Sequence, residues 1–115
     1  MTQKSEVGRI GENIAAAYLI KNGYKIIERN HLQKWGELDI VAKDPNGTLV
    51  FVEVKTMRQL PNSFAALDPE DNLTAAKLKK LQRTAQLFAG FNEDLVNQKL
   101  GWRIDLVAIY LSGVK

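Results

Sequence analysis

The chain has 115 residues, of which 45% are hydrophobic and 25% charged, and a formal net charge of +3; this is the profile of one ordinary globular domain, 1–115. It contains no cysteine, which excludes a disulfide framework and thiolate zinc sites. The longest apolar run, IAAAYLI, is too short to span a bilayer and MTQKSEVGRIGE lacks the apolar core of a signal peptide, so the expectation is a cytoplasmic protein with no membrane partner.

Residues 5–22 predict a first helix, stopped by Gly23. Val7, Ile10, Ile14, Ala17 and Tyr18 fall on one stripe at helical spacing; Gly8, Ala15 and Leu19 fall on a second that also carries Glu12. Two apolar stripes predict a helix covered on both sides, with Glu12 turned inward. Residues 24–30 and 36–43 read as strands, DPNG at 44–47 as a hairpin turn, and 48–55 as the returning strand. Residues 56–69 have no period and read as a loop. A second helix is predicted over 72–91, with Asp71, Asn72 or Thr74 as its cap and Leu78, Leu81, Ala85 and Phe88 as its buried stripe. Lys77 flanks that stripe, and Lys79, Lys80 and Arg83 face away from it. After Gly101, WRIDLVAIYL predicts a last strand. The order α-β-β-β-α-β gives an α+β fold, a mixed sheet flanked by helices.

The charges inside the two central strands need a reason. Alternation puts Glu37 and Asp39 on one face of their strand, with Leu38 and Ile40 on the other. In the next strand Glu53 and Lys55 share a face with Phe51, opposite Val50, Val52 and Val54. The hairpin then brings Asp39, Glu53 and Lys55 to one patch. Carboxylates gathered there repel and lose water unless a cation lies between them. Mg2+ suits such a set, because it takes oxygen ligands and needs only one or two carboxylates. With Lys55 beside it, that is chemistry for hydrolysing a phosphodiester. The alternative is a cross-strand salt bridge from Lys55 to Asp39 or Glu37 on a solvated face, but one lysine does not neutralise three carboxylates.

GELDIVAKD followed by TLVFVEVK resembles the Asp…Glu-x-Lys signature of the PD-(D/E)XK nuclease superfamily, which has the restriction endonuclease-like fold also found in Holliday junction resolvases. With GRIGENIAAAYLIKNGYKIIERN before it and RIDLVAI after it, the chain is similar to the YraN-type family of small bacterial proteins. The resemblance implies that Asp39, Glu53 and the Val54 carbonyl hold Mg2+ or Mn2+, and that Lys55 assists the attacking water. It implies that Glu12 is the additional acid near the site, and that Glu37 supports the others as a neighbouring acid or second ligand. It also implies a nucleic-acid contact at Lys77, whose alternative is a rim lysine lying over apolar surface. Lys80 joins it as a candidate phosphate contact. The family's arginine follows Lys-Thr directly; here Met57 intervenes and the candidate is Arg58.

These features predict a metal-dependent nuclease on DNA, branched or structured DNA included, recognised by shape and phosphates. Cutting two strands would need a homodimer. The alternatives are a non-catalytic nucleic-acid-binding protein that keeps the fold and a protein-interaction subunit. Arg103 and Asp105 share a strand face and read as a structural pair. His31 and Trp35 sit in the turn before the acidic strand, as solvated and packing residues or as nucleic-acid contacts.

Overall fold

The computed structural model describes residues 4–59 and 73–112. Helix α1 spans Glu6–Lys21, and the Ser5 side chain caps it by accepting from the Gly8 N–H at 3.0 Å. Strands β1 (Lys25–Gln33), β2 (Gly36–Lys43) and β3 (Leu49–Gln59) follow. Helix α2, Ala75–Phe91, is capped by Thr74, and β4 is Trp102–Ser112. The sheet order is β1-β2-β3-β4. The first two pairings are antiparallel and β3–β4 is parallel. The expected mixed sheet and element order are therefore present. A parallel last strand requires a crossover, and α2 lies in it.

The two helices lie on opposite faces. Under α1, Ala15, Ala16 and Leu19 meet Ile40, Ala42, Val50 and Val52. Under α2, Leu81, Ala85, Phe88 and Ala89 meet Leu38, Val41, Leu49 and Phe51. Phe51 anchors this second core, edge-on to both Phe88 and Trp102. Burying each such large side chain is worth about 1.5–3 kcal/mol.

Several expectations need correction. The first stripe of α1 is not covered: Ile10, Ile14 and Tyr18 are 44%, 42% and 60% exposed. Only one sheet face is open to α1, and the small-residue stripe through Gly11 and Ala15 takes it. A Cβ on Gly11 would lie 1.8 Å from Thr56 Oγ1, so glycine is what lets α1 approach β3 so closely. In α2, Leu78 is exposed and Thr84 takes the inward position. Strand β1 runs three residues beyond the expected end, to Gln33. Residues 56–59, read as loop, continue β3, because the parallel ladder with β4 runs on to Gln59↔Ser112. The rest of that predicted loop, and the cap candidates Asp71 and Asn72, lie outside the described residues.

The 44–47 turn forms as expected. Asp44 Oδ1 accepts from the Asn46 and Thr48 N–H groups at 2.9 Å each, and Gly47 takes φ +91°. Arg103 of β4 ties this turn down. It donates to Asp44 Oδ2 at 2.7 Å, to both Asp105 oxygens and to the Tyr24 hydroxyl. The Arg103 hydrogen bond holds the Asp44 carboxyl below its ordinary pKa. The Arg103–Asp105 pair is thus part of a brace between strands.

Candidate active site

The site forms where the central strands part. β2 and β3 pair from Lys43↔Leu49 only as far as Ile40↔Val52. Leu38 packs under α2 while Ile40 packs under α1, although residues two apart in a regular strand share a face. The alternation read from sequence therefore breaks at Asp39. Across from it in β1, between the Arg29↔Ile40 and His31↔Leu38 pairs, Asn30 has φ +55°. Such a break in both partners bends and twists the strand locally.

The break turns Asp39 toward β3. Its Oδ2 accepts from the Val54 N–H at 2.9 Å, taking the place of the lost ladder bond. A strand residue's N–H and C=O point to the same side, so the Val54 carbonyl also faces the fork. Asp39 Oδ1 accepts from Lys4 Nζ at 2.9 Å, and the same ammonium lies 3.2 Å from Glu12 Oε2. Glu12 is 2% exposed. Its Oε1 accepts from Arg29 Nε and Asn30 Nδ2, each at 3.0 Å. Burial works against the charge of Lys4, but the hydrogen bond and charge of Asp39, with Glu37 and Glu12, outweigh it and raise its pKa.

Glu53 lies close enough to Asp39 for the two carboxyls to act on one another. Burial, and then the negative charge of Asp39, push its carboxyl up from 4.5 to about 7, with Lys4 opposing and Glu37 adding. Glu53, Lys55 and Glu37 line a cavity of about 360 Å³ with Lys77, Lys80, Leu81 and Thr84 of α2. Glu37 Oε2 is buried without a hydrogen-bond partner among the described residues. Two carboxylates, a main-chain carbonyl and an orphaned carboxylate oxygen form an all-oxygen set that suits a hard cation with retained waters. Among the described residues no group of three or more acidic or imidazole side chains is assembled for a metal. The described residues therefore do not make a closed cage.

The raised Glu53 carboxyl has a consequence in the metal-free protein. Between pH about 4.5 and about 7 the folded chain holds a proton that the unfolded chain has released. Stability from this group therefore falls as pH rises through that window. Urea unfolding in EDTA across the window is expected to show the decline, and Glu53→Gln is expected to flatten it. An equally steep profile in that variant would assign the proton elsewhere.

The structure brings Asp39, Glu53, Lys55, Glu37, Lys77 and Lys80 around one fork and cavity. Glu12 is tied to Asp39 by Lys4, and it lines a neighbouring hollow with Lys4, Val54 and Lys55. Arg58 is exposed, and alternation from Lys55 puts it on the α1 side of β3, away from Lys77 and Lys80. Met57 takes the cavity-lining position. His31 lies within β1, bonded to Glu28 and edge-on to Phe88. Sequence reasoning missed Lys4, Arg29 and Asn30. Lys4 precedes the helix, so no periodicity marks it. An asparagine inside a strand is the faint signal of a left-handed residue.

This architecture is an α+β domain, a mixed four-stranded sheet with a helix on each face and an acidic, lysine-flanked fork between its central strands. The chain belongs to Uncharacterised protein family UPF0102, whose sequence model matches residues 11–109. It is 37% identical over 108 residues to a UPF0102 protein of Caldicellulosiruptor bescii, covering 94% of this chain and 85% of that one. It is 42% identical over 84 residues to a UPF0102 protein of Corynebacterium efficiens, covering 73% and 65%. Among solved structures it is similar to a repair endonuclease from Pyrococcus abyssi (18% identity, TM-score 0.46, 96% of this chain and 40% of that one). It is also similar to EndoMS in a complex with double-stranded DNA (15% identity, TM-score 0.48, 93% and 47%). The chain spans less than half of either solved protein. Among the described residues no helix is long and apolar enough to cross a membrane.

Proposed function

We propose that the protein is a divalent-metal-dependent endonuclease that hydrolyses phosphodiester bonds of DNA. The observation that carries this reading is the Asp39–Glu53 pair, in which burial, and then the charge of Asp39, raise the Glu53 carboxyl to about 7 beside Lys55 in an open cavity. Asp39, Glu53 and the Val54 carbonyl would hold Mg2+ or Mn2+. When bound, the cation supplies Lewis acidity toward phosphate oxygens and an acidified water. Lys55 sits where its ammonium meets the phosphate or orients the water, and it stabilises charge growing on the phosphorus oxygens. Glu37 lines the same cavity as Glu53 and adds negative charge that favours a cation. Lys77 and Lys80, on the α2 wall, meet the phosphates of the incoming strand. A homodimer would supply a second site for a second strand.

One observation favours a second reading, a nucleic-acid-binding protein without catalysis: the Lys4 ammonium pairs with both Asp39 and Glu12 and occupies an Asp39 oxygen that a cation would use. The two separate on incubation with Mn2+ and a panel of single-stranded, duplex and four-way-junction DNAs, beside Lys55→Ala. Cleavage of at least one substrate that falls by about 100-fold or more in Lys55→Ala supports the nuclease. Salt-dependent binding with no product from any substrate supports the second reading.

A further inference from the structure

A second cavity, outside the acidic fork, is lined by Lys34, Trp35, Lys79, Lys80 and Arg83 together with Ala76. No carboxylate lines it among the described residues, and none of its four cations forms an ion pair among them. At its edge Trp35 stacks on Phe91, with ring centroids 6.3 Å apart and planes at 26°. Neither ring belongs to a core, and Phe91 is 74% exposed.

The platform is built into the fold. The Thr84 hydroxyl shares its hydrogen between the Lys80 carbonyl at 2.9 Å and the Trp35 carbonyl at 3.3 Å, fastening the β1–β2 turn to α2. A Cβ on Gly36 would lie 2.2 Å from Thr84 Oγ1, so the residue after Trp35 must be glycine for the turn to come this close. The tryptophan is thereby held beside the basic face of α2 instead of swinging with a free loop. Lys80 lines both this cavity and the one that holds Glu53 and Lys55, so the two are neighbours.

We propose that this surface binds an unpaired DNA strand next to the acidic fork, with a base stacked on the Trp35–Phe91 pair and its phosphates on Lys34, Lys79, Lys80 and Arg83. Stacking on an exposed aromatic, flanked by cations, is how proteins hold single strands without reading sequence. A base in the interior of a duplex has both faces covered by its neighbours and cannot use the platform. The inference rests on the nuclease reading for its meaning, since it makes strands with unpaired nucleotides the preferred substrate class, but its test does not need cleavage.

The test is equilibrium binding in EDTA, with oligo(dT), an abasic strand of the same length and a blunt duplex as probes. Oligo(dT) is expected to bind tightest. Trp35→Ala is expected to weaken it by about tenfold or more, and to leave abasic-strand binding unchanged. Trp35→Phe keeps an aromatic face and is expected to restore most of the affinity. Lys79→Ala with Arg83→Ala is expected to reduce the log–log salt slope by about 1 to 2 for every probe. In a Trp102→Phe background Trp35 is the one remaining tryptophan, and its emission is expected to fall on adding oligo(dT) but not the abasic strand. Equal affinity of wild type and Trp35→Ala for oligo(dT), or equal binding of abasic and base-bearing strands, would overturn the platform even if the protein cleaves DNA. Tight, base-dependent binding with no cleavage in Mn2+ would keep the platform and remove the nuclease reading.

Discussion

Replacing Asp39 by asparagine is expected to lower Mn2+ affinity and DNA cleavage together, the rate falling by about 10³-fold, with the fold kept. Asparagine retains a carbonyl oxygen for the Val54 N–H, so the strand fork stays bridged. What it removes is the negative charge. Lys4 loses its partner at 2.9 Å, and Glu53 loses the carboxylate that, after burial, most raises its pKa. The Glu53 carboxyl therefore moves part of the way back toward its ordinary value, with burial still holding it up, and the metal-free protein loses part of its stability decline between pH 4.5 and 7. Relief of like-charge repulsion offsets the lost ion pair, so stability near neutral pH stays close to wild type. A bound cation contributes several kcal/mol to the transition state, and each 1.36 kcal/mol is a factor of ten in rate, which sets the expected loss at about 10³. Calorimetric titration with Mn2+ separates the two halves of the result. Undiminished Mn2+ affinity in Asp39→Asn would remove Asp39 from the metal site.

The second large effect is on stability. Glu12→Ala is expected to destabilise the protein by about 2–4 kcal/mol. The carboxylate is the shared acceptor for Arg29, Asn30 and Lys4 in a place that water does not reach. Removing one partner of a buried ion pair typically costs about 3–5 kcal/mol, because the other charge is left uncompensated. Here the side chains of Arg29 and Lys4 are 35% and 21% exposed, so they recover part of their hydration and the expected value is lower. Glu12→Gln keeps an acceptor for Arg29 and Asn30, and is expected to fall between Glu12→Ala and wild type. Urea unfolding measures both. A change under about 0.5 kcal/mol in Glu12→Ala would mean that the cluster contributes nothing to holding α1 on the sheet. Loss of Mn2+ binding in a folded Glu12→Gln protein would show Glu12 acting on the site through Lys4.

The elements were legible because each carries its own period and its own stop. Ser5 and Gly23 bound α1, Thr74 caps α2, and the Asp44–Gly47 turn closes the hairpin. The β3 face assignment also read correctly: Val50 and Val52 meet α1, while Phe51 meets α2 and Glu53 and Lys55 line its cavity. Stripe assignment in α1 failed for a specific reason. Ile10, Ile14 and Tyr18 are the larger side chains, yet the helix lies on Gly11 and Ala15, because close approach to a sheet favours small residues where backbones meet.

The sequence alone determined that Asp39, Glu53 and Lys55 stand on adjacent strands of one hairpin, because hydrophobic period and turn chemistry are local properties of the chain. It could not determine how those strands diverge. The slip at Asp39 and the left-handed Asn30 opposite it go with the packing of Leu38 and Ile40 under different helices, on opposite faces of the sheet. Nor could it supply Lys4, which lies 35 residues from its Asp39 partner and meets it only when α1 docks. Charge compensation is a three-dimensional balance, struck between groups that packing brings together.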